Sequence, residues 1–164
     1  MKRETYINLM DYLKERKGLL GVIKLLYTAL PIVMVLVYPA IIIHNYFLGI
    51  DHKFILSIVV PAVTLLGSWT MRKLINKPRP YEKFQHPSLI TKDKKGHSFP
   101  SNHSTCGFVI AMAGFSVSIY LGLGLIVIAL LIALTRVFSG VHFISDVLAG
   151  SILGVMTGFV FIFI

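Results

Sequence analysis

Five apolar runs, set apart by short polar stretches, constrain this chain more than any other feature. Each approaches the roughly 20 residues that an α-helix needs to cross the hydrocarbon core of a bilayer. The first runs from about Leu25 to Phe47 and the second from about Phe54 to Met71, ending at Arg72-Lys73. A long polar stretch from Asn76 to Asn102 follows. The remaining runs are His103 to Leu121, Leu123 to Phe138 and about Asp146 to Ile164. Pro31 and Pro39 fall inside the first run. Neighbouring helices can satisfy the carbonyls that proline frees in a membrane helix, so this pattern predicts a single kinked span. Leu121-Gly122-Leu123-Gly124 predicts a very tight turn between the third and fourth spans.

Ahead of these runs, residues 4–16 set Ile7, Met10 and Leu13 among charged positions. That spacing predicts a short helix lying in the membrane interface. The expected fold is therefore all-α: an integral membrane helical bundle of about five transmembrane helices plus a short N-terminal interfacial helix. No repeat or second domain is visible. Residues 1–164 read as one membrane-embedded domain, with 1–18 as its interfacial segment and 73–102 as the loop that carries the site.

Composition narrows the function classes. Of the 164 residues 55% are hydrophobic and only 14% charged, whereas a soluble domain carries about a quarter charged residues. The net charge of +9 invites a nucleic acid partner. Most of the basic residues flank apolar runs, however, where they meet lipid headgroups or anionic substrates. No exposed basic face remains for nucleic acid. The single cysteine, Cys106, lies in an apolar run and reads as a small packed hydrophobe. The first eighteen residues lack a signal-peptide pattern, because charges recur through Asp11, Lys14, Glu15, Arg16 and Lys17.

The last run carries Gly150, Gly154 and Gly158 at four-residue spacing. Small residues at that interval allow two membrane helices to approach closely. Extended backwards, the stripe reaches Asp146 and His142. A helix beginning near His142 would place the two side chains one turn apart, both facing the protein.

Three polar blocks interrupt the apolar pattern. The first is Arg72-Lys73-Leu74-Ile75-Asn76-Lys77-Pro78-Arg79-Pro80. It satisfies the positive-inside rule, and its two arginines also suit an anion clamp, since the planar guanidinium fork matches phosphate geometry. The second is Phe99-Pro100-Ser101-Asn102-His103-Ser104, at the mouth of the third run. Ser101 or Asn102 serves as a helix cap, but capping does not require His103. The free N–H groups of a helix start also favour phosphate. The third block is Arg136, five residues, His142, three residues, Asp146. An ionisable residue near an apolar span usually faces a cavity or partner. A carboxylate beside a histidine fixes its tautomer and frees the other ring nitrogen as nucleophile or base. The second-to-third and fourth-to-fifth connections must lie on the same membrane face, so all three blocks can share one pocket.

Together these blocks resemble the type 2 phosphatidic acid phosphatase superfamily, the lipid phosphate phosphatases related to vanadium haloperoxidases. Its pattern is Lys, six residues, Arg-Pro; then Pro-Ser-Gly-His; then Ser-Arg, five residues, His, three residues, Asp. Here Arg72 stands at the lysine position, with Arg79-Pro80 after six residues. Pro100-Ser101-Asn102-His103 matches the second motif, with Asn102 for glycine, and Thr135-Arg136, His142 and Asp146 match the third, with Thr for Ser. The match covers about residues 60–160.

The resemblance implies a hydrolase that needs no metal and no cofactor. His142 would attack phosphorus and become a phosphohistidine, with Asp146 orienting it. His103 would protonate the leaving oxygen and then activate water. Arg72, Arg79, Ser101, Asn102 and Arg136 would hold the phosphoryl group. Expected substrates are lipid phosphates or pyrophosphates: undecaprenyl diphosphate, phosphatidylglycerol phosphate or phosphatidic acid. The alternative is a catalytically weak lipid-phosphate-binding membrane protein. Partners are the lipid substrate and membrane lipids, with no nucleic acid, and the sequence leaves the oligomeric state open. The charge count puts the N-terminus and site in the cytoplasm. Catalysis accounts for Arg72 and Arg79, however, and the resemblance implies a multi-pass cell-membrane protein with its site on the extracytoplasmic face.

Overall fold

The computed structural model describes residues 1–92 and 94–163. Asp93, in the polar loop, and Ile164, at the end of the expected fifth span, lie outside the described residues. Among the described residues every regular element is helical. In chain order these are α1 (Arg3–Glu15), α2 (Lys17–Leu48), α3 (His52–Ile75), α4 (Pro80–Phe84), α5 (Asn102–Ala113), α6 (Ile119–Phe138) and α7 (Ile144–Gly158). Short 3-10 turns follow α5 and α7 at Gly114–Ser116 and Phe159–Ile162.

Four segments, containing α2, α3, α6 and α7, are long and apolar enough to cross a membrane. Their outer faces present large apolar side chains: Leu36, Leu66, Val127 and Ile152 are 69%, 62%, 56% and 61% exposed. Water would penalise such a surface and lipid does not. The remaining expected span, α5, is only 12 residues long. Ser104, Thr105 and every residue from Gly107 to Ala113 are buried. A helix apolar nearly all round belongs in a core, and α5 is the axis around which the longer helices stand.

The glycine stripe of α7 explains how α5 is gripped. A Cβ on Gly150 would lie 2.6 Å from the carbonyl oxygen of Ser101, and one on Gly154 would lie 2.7 Å from that of Thr105. At Gly158 it would collide with Met112. The predicted close helix approach is therefore present, and its partner is α5.

Polar ties join the other helices. Asn45 Nδ2 donates to Ser116 Oγ at 2.9 Å, and Thr64 Oγ1 to Thr157 Oγ1 at 2.8 Å. Such bonds between membrane helices are worth about 0.6 kcal/mol on average. Pro61 lies inside α3 and carries no N–H for the carbonyl of Ser57, one turn earlier. Tyr38 of α2 donates its hydroxyl to that carbonyl at 2.9 Å. α2 runs unbroken through Pro31 and Pro39, as expected of a single span.

The predicted turn at 121–124 is not where the chain reverses. The reversal falls at Val117–Ser118, and Leu121 to Gly124 are helical residues of α6. Ser118 is the N-cap, its hydroxyl accepting from the Leu121 N–H at 3.2 Å. Gly122 serves packing: the ring of Phe115 fills the space that a Cβ would need. A capping hydroxyl outweighed two glycines that a helix tolerates when close packing requires them.

The N-terminal helix forms as expected and docks against the rest of the protein. Its buried face is Tyr6, Met10 and Leu13, with Ile7 half-buried at the edge. Tyr6 donates to the carbonyl of Gly140 at 3.2 Å. Gly140 adopts φ +75°, and a Cβ there would meet Met10 Sδ and the Tyr6 hydroxyl. Thus α1 buttresses the turn between α6 and α7.

Candidate active site

The first block closes α3 and opens α4. Asn76 ends α3 in the left-handed conformation, leaving Arg72 in its last turn. Arg72 Nη1 donates to the carbonyl of Pro100 at 2.8 Å. Arg79, at the start of α4, is 7% exposed. Its Nε donates to Gly96 O at 3.1 Å and its Nη1 to Val141 O at 3.5 Å. The Glu82 carboxylate accepts from the N–H groups of Arg79 and Gly96. The two ends of the polar loop are thereby clipped together above the bundle.

The second block departs from simple capping. Ser101 occupies the N-cap position of α5 but makes no side-chain capping bond. Its N–H donates to Asp146 O at 2.9 Å and its hydroxyl accepts from Ser104 at 3.1 Å. Asn102 Oδ1 accepts from Ser68 at 2.7 Å, fixing the start of α5 to α3. His103 is exposed.

The third block differs from its expected form in one respect. α7 begins at Ile144, so His142 precedes the helix and sits in a turn, its N–H donating to Arg136 O at 3.3 Å. Asp146 instead bonds the N–H of Phe143 at 3.1 Å and so closes the first turn of α7. That local bond holds the helix start two residues beyond the histidine.

His142 and Asp146 are still paired, through a third residue. His142 Nδ1 is 3.8 Å from Asp146 Oδ2, too far for a hydrogen bond. Ser98 Oγ donates to Asp146 Oδ2 and lies 3.3 Å from His142 Nδ1. Because the serine proton goes to the carboxylate, its oxygen must accept from Nδ1–H. The tautomer so selected leaves Nε2 with its lone pair. Lys77 Nζ completes the group, 2.6 Å from Asp146 Oδ1. His142, Asp146 and Ser98 are 3%, 0% and 0% exposed. Burial pushes His142 below the ordinary histidine value, and Arg79 and Arg72 push it the same way against the opposing Asp146.

One pocket of about 170 Å³ collects the result, lined by Tyr27, Arg72, Arg79, Lys92, Lys94, Asn102, His103 and His142. Five of the eight sequence-predicted site residues line it. Asp146 stands behind His142. Ser101 is buried beside Ser104 and is not among the lining residues. Arg136 is not among the lining residues either: it is 1% exposed, and its guanidinium stacks 3.6 Å from the ring centre of Tyr27, which does line the pocket. Among the described residues, no group of three or more His, Cys, Asp or Glu side chains is placed to hold a metal ion. Among the described residues, the charged side chains lining the pocket are cationic, as an anion requires.

Ser98, Lys77 and Tyr27 were not among the residues read as functional. Lys77 lies inside the first block, between Arg72 and Arg79 of the phosphate-binding pattern. Ser98 is one of several polar loop residues, and Tyr27 is an aromatic in an apolar run.

A helical membrane bundle that presents an oriented histidine to a cation-lined pocket defines the class, a membrane phosphatase. Residues 53–164 match the family described as the PAP2 superfamily, and the chain belongs to that superfamily. It is 30% identical over 138 residues to the candidate undecaprenyl-diphosphatase YbjG of Escherichia coli K12, covering 80% of this chain and 67% of that protein. It is 32% identical over 92 residues to the bacitracin transport permease protein BcrC of Bacillus licheniformis, covering 56% of this chain and 45% of that one. Two crystal structures share the fold. Aquifex aeolicus LpxE superposes with a TM-score of 0.72 at 23% identity, over 98% of this chain and 94% of its own. The PAP2-type phosphatidylglycerolphosphate phosphatase of Bacillus subtilis gives 0.68 at 21% identity, over 97% and 80%.

Proposed function

We propose that this protein hydrolyses the phosphate group of a membrane lipid, and that its substrate is a lipid diphosphate. The observation that carries the proposal is the Ser98-oriented His142, whose free Nε2 belongs to the residue lining the cationic pocket. Nε2 attacks the terminal phosphorus, the bond from that phosphorus to the bridging oxygen breaks, and the lipid monophosphate departs with His103 giving its oxygen a proton. Water then attacks the phosphohistidine, with His103 accepting a proton from it, and inorganic phosphate leaves. Arg72, Arg79, Asn102 and Arg136 are assigned to the phosphoryl oxygens, where fixed positive charge stabilises phosphoryl transfer. Ser101 is assigned to shaping the start of α5 from behind.

A second basic recess favours a diphosphate. It has a volume of about 370 Å³ and shares Arg72, Arg79, Lys94 and Asn102 with the first, adding Trp69, Lys73, Lys95, Gly96 and His97. Two recesses bridged by the same cations suit two linked phosphates. YbjG, named for undecaprenyl diphosphate, makes that prenyl lipid the first substrate to try. We also place the site on the extracytoplasmic face, since Arg72, Arg79, Lys77 and Arg136 are engaged in the site and do not report topology.

The test is phosphate release by the purified protein from undecaprenyl diphosphate, phosphatidylglycerol phosphate and phosphatidic acid. The expected order has the diphosphate first. Faster release from both monophosphates would reject the diphosphate assignment. Tight binding of all three with no release would leave a lipid-phosphate binder.

A further inference from the structure

Arg136 is anchored by a helix that lies outside the residues matching the family. Its Nη2 donates to the carbonyl of Tyr27 in α2 at 3.0 Å, and its guanidinium lies over the Tyr27 ring. Inside a regular helix that carbonyl would be occupied by the N–H four residues on. Here the residue four on is Pro31, which has no N–H to give. The proline thus exposes an acceptor on the side of α2 where the guanidinium stands. The same device recurs in α3, where Pro61 frees the Ser57 carbonyl for Tyr38.

The remaining donors of Arg136 have a distinctive state. Nε and Nη1 are buried and, among the described residues, have no hydrogen-bond partner. Burying unpaired charged donors costs several times a normal hydrogen bond, and a structure retains them when something else completes the site. Tyr27 itself lines the anion pocket, so the two unpaired donors belong to a guanidinium stacked on one of its walls. Lys92 Nζ lies 5.7 Å from the Tyr27 ring centre.

We infer that Tyr27 and Pro31 are positioning residues for phosphoryl binding: the freed carbonyl and the ring lock Arg136 so that Nε and Nη1 are presented to a phosphoryl oxygen. The inference rests on the phosphatase reading only in taking the pocket's anion to be phosphoryl. α2 thereby becomes part of the site as well as a membrane span.

The probe is orthovanadate, titrated calorimetrically into the purified full-length protein. Tyr27→Leu removes the ring and should weaken vanadate binding by roughly tenfold, the scale of a desolvated cation–π contact. Tyr27→Phe keeps ring and carbonyl and should restore the affinity. Pro31→Ala supplies a competing N–H to the Tyr27 carbonyl and should weaken binding severalfold. In an Arg136→Ala background, Tyr27→Leu should cause no further loss, because its effect passes through the arginine. Equal losses in both backgrounds, or unchanged affinity in Tyr27→Leu and Pro31→Ala, would overturn the inference. Lipid turnover by the unmutated protein is scored separately. A protein that turns over no lipid yet keeps this coupling would fail the phosphatase reading alone. Turnover without coupling would fail the positioning inference alone.

Discussion

His142 Nδ1 and Asp146 Oδ2 stand 3.8 Å apart, and a serine hydroxyl spans the gap between them. Ser98 spends its one proton on the carboxylate, so it can only accept from the imidazole. The orienting information therefore passes from Asp146 through Ser98 to His142. Ser98→Ala should lower kcat with little change in KM, because Ser98 is buried and does not line the pocket. Losing a buried bond of this kind costs about 1–3 kcal/mol, or roughly ten- to a hundredfold in rate. Combined with Asp146→Asn the loss should be less than the product of the two, since both act on one ring. Multiplying losses, or a raised KM in Ser98→Ala, would dismiss the relay.

The environment of His142 sets a pH dependence. Burial and the nearby Arg79 and Arg72 lower its pKa. A lowered pKa keeps the imidazole neutral, and so nucleophilic, to pH values below the ordinary 6.5. The acid limb of kcat/KM reports the free enzyme and should fall below that value. Titrating carbon-13-labelled histidine in the free protein checks the assignment, because the same inflection must vanish in His142→Ala. That variant should also lose all turnover and all acid-labile phosphoprotein. Turnover above a mock-purified control in His142→Ala would point to another nucleophile.

Every group proposed to contact the phosphoryl oxygens is a protein donor, and the pocket wall is cationic. Turnover should therefore persist in EDTA and be blocked by vanadate. Chelation that stops the reaction, with Mg²⁺ or Zn²⁺ restoring it, would replace the guanidiniums with a metal.

What is locally encoded was legible in the sequence. Apolar run length located the helices, and the four-residue interval of Gly150, Gly154 and Gly158 announced a close helix contact. The three polar blocks converge as parity required, because two connections on one membrane face have nowhere else to go. What escaped was decided by contacts between distant segments or by one capping atom. Ser118 rather than the 121–124 glycines starts α6, since its hydroxyl satisfies a helix N–H. Asp146 closes its own helix turn, which strands His142 outside α7. Ser98 meets Asp146 across 48 positions, and Tyr27 meets Arg136 across 109. No periodicity reports a pairing of that length. The proline that frees the Tyr27 carbonyl was visible, but it reads as a kink until its acceptor is found.

Sidedness can be read with one thiol. Cys106 is the sole native cysteine and is half-buried, so Cys106→Ser gives a silent background. Lys95→Cys then places a thiol on the exposed loop at the mouth of the second recess. An impermeant maleimide should label it in intact cells. Labelling that needs permeabilised cells would put the site in the cytoplasm, as the bare charge count suggests.

His103 is the residue whose role is most open to a direct chemical test. It is exposed at the start of α5 and lines the pocket with His142, where a departing oxygen needs its proton. An alkoxide, the leaving group of a phosphate monoester of an alcohol, is a poor one and depends on that proton, whereas p-nitrophenolate leaves with little help. General acid catalysis is worth roughly 10²–10⁴-fold where the leaving group demands it. His103→Ala should therefore slow phosphohistidine formation far more with an alkyl phosphate than with p-nitrophenyl phosphate. Steady-state rates obscure the difference, because the same side chain is proposed to activate water in the second step. The measurement is the single-turnover burst of alcohol or nitrophenol. Equal losses with the two substrates would assign His103 to phosphate binding and send the search for the acid to Lys92 and Lys94, the lysines that share its pocket.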